Sequence, residues 1–175
     1  MKYLILSVLL LLMLCSCRRY HTQQPAQDAS AVERLKNETL LRVNQQFVEE
    51  ESADIETFIK LQNWQMKTTE TGLWYMIYEH GKGKQAVDGM IATLKYTVSL
   101  LDSTVCYSGK KQFLMGKGRA DGIEPGLEEG VRLMREGDKA RLILPPHLAY
   151  GIAGDGDCIP RRAIIIYDVE LVNLK

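Results

Sequence analysis

The chain has 175 residues, enough for one core of ordinary size plus extra segments. Lysine plus arginine and aspartate plus glutamate number 22 each, so no net field draws the chain to nucleic acid. The basic pairs Arg18-Arg19, Lys110-Lys111 and Arg161-Arg162 are too short for a binding stripe and read as solvated surface.

Residues 1–16 read as an export signal: Met1-Lys2 is a small positive start, and Tyr3 to Leu14 is almost continuously apolar. That run is about half of the ~20 residues a spanning helix needs. Its end, Leu14-Cys15-Ser16-Cys17, resembles the lipobox of bacterial lipoproteins, in which the last cysteine is acylated and becomes residue one. The resemblance implies lipidation at Cys17 and a domain tethered to a membrane outside the cytoplasm, in the bacterial cell envelope. Arg18 after the anchor favours the outer membrane over inner-membrane retention. The alternatives are an ordinary secreted protein cut near Ser16, or a helix that stays uncleaved.

Residues 17–29, rich in Gln, Thr, Pro and Ala with no apolar period, suit a flexible tether. From residue 30 to about 64, Val32, Leu35, Leu40, Leu41, Val43, Phe47 and Val48 recur at roughly helical spacing. Ser52 reads as the cap of a second helix, with Asp54 and Glu56 in its first turn and Ile55, Phe58, Ile59 and Gln62 on one face. Two short helices are thus expected within an N-terminal segment spanning residues 30–70. Their apolar stripes cover either the downstream domain or a second copy of the chain, which would be a homodimer through the N-terminal helices.

Past Gly72 the pattern changes to β. Leu73 to Tyr78 reads as a strand, and His80-Gly81-Lys82-Gly83 as a turn. Ile91 to Leu101 makes a long strand broken by Asp102-Ser103, and Phe113 to Met115 a short one ended by Gly116. Pro125-Gly126 opens a helix with Leu127, Val131 and Met134 at i, i+4 and i+7, stopped by Gly137. Arg141 to Leu144 and Ile164 to Leu174 are the last strands. In the latter, Ile165, Tyr167, Val169 and Leu171 face one way and Asp168 and Glu170 the other. Strands with one helix across one face make an α+β domain over residues 71–175. His21, His80 and His147 are scattered and read as surface residues, no metal-ligand spacing is evident, and no cofactor is implied. Cys106 and Cys158 allow either a disulfide or two free thiols.

Several motifs in order carry a resemblance. They are Tyr96-Thr97, Gly116-Lys117, Gly126-Leu127-Glu128-Glu129-Gly130, Ala149-Tyr150-Gly151, Ile159-Pro160 and Tyr167-Asp168-Val169-Glu170-Leu171. Together they resemble the FKBP-type peptidyl-prolyl isomerases from about Leu73 to the C-terminus. The resemblance implies a bent antiparallel β-sheet wrapped around one α-helix, here preceded by N-terminal helices. It also implies a pocket between helix and sheet, formed here by Tyr96, Cys106, Tyr107, Ile123, Glu124, Leu127, Tyr150, Ile159 and Tyr167. Tyr96, Tyr150, Ile159 and Tyr167 take the catalytic positions, and the other five contact the substrate, a proline-containing polypeptide. A prolyl ring fits the slot of Tyr96, Leu127, Ile159 and Tyr167, while the Tyr150 hydroxyl and a loop N–H hold substrate carbonyls.

This chain departs from the family where Cys106-Tyr107 replaces Phe-Asp, where Leu127 replaces a tryptophan, and where Lys111 takes the place of an aromatic. The resemblance also implies that Cys106 and Cys158 both lie on the pocket rim, where their pairing would brace the loop. The expected activity is isomerisation of X-Pro bonds in proteins folding outside the cytoplasm. The alternatives are a binding or chaperone module without turnover, and an envelope structural part docked through the N-terminal helices.

Overall fold

A computed structural model describes residues 25–175; the expected signal, lipidation at Cys17, His21 and most of the tether lie outside the described residues. The chain divides into two units at Asn44–Gln45. In the first unit the described residues are helical, and the apolar side chains Val32, Leu35, Leu40, Leu41 and Val43 are exposed.

One helix, α1 (Pro25–Gln62, 38 residues), stands where two were expected, and it takes in residues 25–29 of the expected tether. No glycine or proline interrupts it after Pro25. Ser52 inside such a run costs only a few tenths of a kcal/mol in helix propensity, too little to break the ladder. A two-stranded pairing of β1 (Lys67–Thr68) then begins within the segment expected to be helical.

The second unit is built on a six-stranded antiparallel sheet in the order β1-β2-β5-β6-β3-β4. Its remaining strands are β2 (Trp74–Glu79), β3 (Ile91–Leu100), β4 (Val105–Leu114), β5 (Lys139–Leu144) and β6 (Ile165–Leu174). The expected short strand at Phe113 is the end of the long edge strand β4, paired with β3 from Ile91↔Leu114 to Ser99↔Val105. Polar Ser108, Gly109 and Lys110 concealed it, because an edge strand can be solvated and is blunted by lysines.

Alternation sorts the strand residues onto two buried faces. Leu142, Leu144, Tyr167, Val169 and Leu171 join Leu94, Val98 and Phe113 in the main core. Ile143 and Ile166 point the other way, where Ile55 and Ile59 from the end of α1 cover them with Phe58, Trp64 and Trp74. The sheet is therefore covered on both faces, not on one as the sequence suggested.

The short helix α2 (Pro125–Arg132) closes the main core. Pro125 suits its first turn, and Leu127 and Val131 are fully buried. Each such side chain contributes about 1.5–3 kcal/mol by leaving water. The helix ends at Arg132 rather than at Gly137, since Leu133 and Met134 tighten into a turn whose N–H groups donate to Gly130 and Val131 carbonyls. Close approach to the sheet needs Gly130: a Cβ there would lie 2.4 Å from Leu142 Cδ1. No helix among the described residues is long and apolar enough to cross a membrane.

Gly130→Ala should therefore lower stability by about 1–3 kcal/mol through overpacking, read as a shifted denaturant midpoint at unchanged slope.

Candidate functional site

The concave face gathers the expected residues from separate elements. Tyr96 comes from β3, Cys106 and Tyr107 from β4, Leu127 from α2, and Tyr167 from β6. Ile123 and Glu124 follow the 3-10 turn Gly118–Asp121, while Tyr150 and Ile159 sit on the loop between β5 and β6. Ile123, Leu127, Ile159 and Tyr167 belong to the buried core, and Tyr96, Cys106, Tyr107 and Tyr150 pack half-buried against it. The rings of Tyr96 and Tyr167 lie 6.0 Å apart and tilted by 52°, within the range of favourable aromatic contacts.

Glu124 completes the set differently. It is 6% exposed, and the Tyr150 hydroxyl donates to its Oε1. Lys111 Nζ is 3.7 Å from Oε2 and donates instead to the Gly122 carbonyl at 3.3 Å. Ile123, Glu124 and Tyr150 line a cavity of about 170 Å³ together with Arg119, Gly122 and Ala149. A tyrosine hydroxyl has one proton, and in this structure Glu124 takes that of Tyr150.

Electrostatics follow from this burial. Burial raises the Tyr150 pKa well above the usual range, and the Glu124 hydrogen bond and charge raise it further. Tyr167 is raised in the same direction, first by burial and then by the charge of Glu124. Both hydroxyls thus stay protonated at every physiological pH.

The loop before Ile159 is held covalently and by a single carboxylate. Cys106 and Cys158 form a disulfide with Cα atoms 5.5 Å apart, so the wall strand β4 and the loop are joined. Asp155 accepts the Tyr107 hydroxyl at Oδ2, and its Oδ1 accepts the backbone N–H of Asp157 and of Ile159, each at 2.9 Å. Burial works against its charged form, yet these hydrogen bonds win and lower its pKa. Asp155 was missed in the sequence; its signal was Asp-x-Asp in a glycine-rich loop, where the first side chain caps the N–H two residues on. Arg119, which donates to the Ala149 carbonyl at 3.2 Å, carried no signal. Of the described histidines, His147 contacts the Thr71 carbonyl at 2.9 Å, and His80 is exposed.

A larger groove of about 340 Å³ opens on the opposite face, lined in part by Phe58, Trp64 and Ile166. Its arginine, Arg141, is already engaged, stacked 4.5 Å from the Trp64 ring and paired with Asp168 at 3.2 Å.

Residues 82–172 match the family model described as FKBP-type peptidyl-prolyl cis-trans isomerase. A probable FKBP-type peptidyl-prolyl cis-trans isomerase FkpA of Neisseria meningitidis is 38% identical over 109 residues, 62% of this chain and 40% of that protein. A macrophage infectivity potentiator of Trypanosoma cruzi is 33% identical over 150 residues, covering 85% of this chain and 71% of that protein. Among solved structures, FkpA from Escherichia coli superimposes with a TM-score of 0.61 at 29% identity, covering 90% of this chain and 74% of that one. The chain thus spans 40% of the length of FkpA-type curated relatives.

Removing the disulfide should cost about 2–4 kcal/mol, as expected for a crosslink closing a long loop. Cys158→Ser should lower the melting temperature, reductant should lower that of the native protein to match, and reductant should leave the variant unchanged.

Proposed function

Because this chain belongs to the FKBP-type peptidyl-prolyl cis-trans isomerase family, we propose that it isomerises X-Pro bonds in proteins folding outside the cytoplasm. The observation that carries this reading is the convergence of Tyr96, Ile159 and Tyr167 over the buried Leu127 on the concave face. The barrier to rotation is about 18–20 kcal/mol because resonance gives the amide partial double-bond character. Rotation out of plane abolishes that resonance and leaves a less polar amide. A dry wall of rings and aliphatic chains favours the twisted form over the planar one, which lowers the barrier without nucleophile or metal. In this reading Tyr96, Tyr150, Ile159 and Tyr167 surround the twisting bond, and Cys106, Tyr107, Ile123, Glu124 and Leu127 contact the flanking chain.

A second reading, a binding or chaperone module without turnover, draws support from the same site. Leu127 presents no broad ring to the slot, and Glu124 brings a carboxylate to its rim.

The domain would span residues 71–175, carried on the helical segment before it. Acylation at Cys17 would anchor it in the bacterial cell envelope, on the outer membrane. The Cys106–Cys158 bond favours an oxidising compartment of that kind. The exposed apolar residues of α1, Val32, Leu35, Leu40 and Leu41 among them, would pair two copies through their helices.

In a protease-coupled assay with short X-Pro peptides, micromolar protein should accelerate isomerisation, and Tyr167→Leu should lower kcat/KM by about tenfold or more. No acceleration by the native protein would select the binding module. Metabolic labelling with palmitate should mark the native chain and not Cys17→Ala, and the variant should leave the membrane fraction.

A further inference from the structure

The tyrosine hydroxyl protons on the rim are both committed to carboxylates. The Tyr150 proton is committed to Glu124 Oε1, and burial with the Glu124 charge keeps it there. Lys111 and Arg119 each donate to a backbone carbonyl, of Gly122 and Ala149 respectively. The Tyr107 hydroxyl donates to Asp155. Lys111 and Arg119 keep further N–H groups, but neither tyrosine hydroxyl has a proton left for a substrate carbonyl.

One acceptor is open. Glu124 Oε2 is buried with no hydrogen-bond partner; Lys111, its side chain 30% exposed, is ion-paired with it at 3.7 Å without donating a hydrogen bond to it. A buried carboxylate oxygen left without a donor is costly, so a donor that reaches it by moving the Lys111 chain aside gains more than it would in water. The charge of Asp155 is felt at the Tyr150 hydroxyl as well. Asp157 lies 3.4 Å from the Tyr107 hydroxyl on the loop, adding a further acidic group on that side.

We propose that Glu124 is a specificity-determining residue, making the rim an acceptor site that selects X-Pro segments in which a lysine or arginine flanks the proline. The proposal deepens the isomerase reading and rests on the same pocket. A cationic side chain has several N–H groups and can satisfy Oε2, whereas an aliphatic side chain leaves it unmet. Glu124 also acts on the backbone contact, because while it holds the Tyr150 proton that hydroxyl cannot grip a substrate carbonyl.

The test uses matched fluorescent peptides differing only in Lys-Pro, Leu-Pro or Glu-Pro, with affinity read by anisotropy and kcat/KM by the coupled assay. The native protein should prefer Lys-Pro over Leu-Pro and reject Glu-Pro, and Glu124→Gln, of the same shape, should shrink the Lys-to-Leu ratio by about tenfold. The loss of kcat/KM for Leu-Pro on Tyr150→Phe should be several-fold larger in the Glu124→Ile background, where the hydroxyl is free to donate, than in the native one. An unchanged Lys-to-Leu ratio in a folded Glu124→Gln protein, or equal Tyr150→Phe losses in both backgrounds, would overturn the proposal. Binding without acceleration would overturn the isomerase reading alone, with the affinity ratio still deciding this one. No binding of any peptide would overturn both.

Discussion

Close packing of α2 against the concave face of the sheet is the contact on which the site depends. Gly130 gives up its side chain so that Leu142 can fill the space above it, and this brings Leu127 and Val131 into a core with no exposure. That closeness dries the wall behind Tyr96, Ile159 and Tyr167. The same dryness holds the Tyr150 and Tyr167 hydroxyls protonated. Packing, pocket and electrostatics are thus one consequence of a helix allowed within reach of its sheet.

The second half of the site is a loop, which cannot be held by core packing alone. Here a covalent bond and one carboxylate replace it. The Cys106–Cys158 disulfide fixes the loop to the wall strand, and Asp155 gathers Tyr107 and two backbone N–H groups around Ile159. The chain that departs from its family at Cys106-Tyr107 uses both departures for this anchoring. One makes the crosslink and the other donates to Asp155, so the two replacements act as a pair.

Much of this was legible in the sequence because period and punctuation were strong. The two-residue alternation of β6, which puts Tyr167 in the core, and the Pro-Gly opening of α2 stand where their patterns put them. What escaped lacked a local signal. The continuity of α1 depends on the absence of a breaker rather than on a feature, and Ser52 mimicked a cap. The upper part of β4 is polar because it is an edge, so its only witness is the ladder to β3. The second covered face needed Ile143 and Ile166 to be seen as outward and still buried, which only the end of α1 explains. The Tyr150–Glu124 hydrogen bond carried no local signal, because the carboxylate is 26 residues away in sequence.

In the proposed reaction, rotation of the amide, and not movement of a proton, is the step that the pocket would assist. Glu124 and the tyrosines would hydrogen-bond and exclude water without giving up a proton to the substrate. The most direct measurement is the solvent deuterium isotope effect on kcat/KM for an X-Pro peptide. Desolvation and twisting predict a value of about 1, since no proton is in flight at the transition state. A normal effect of about 2 or more would mean that a hydroxyl or carboxyl protonates the amide, and it would contradict the account.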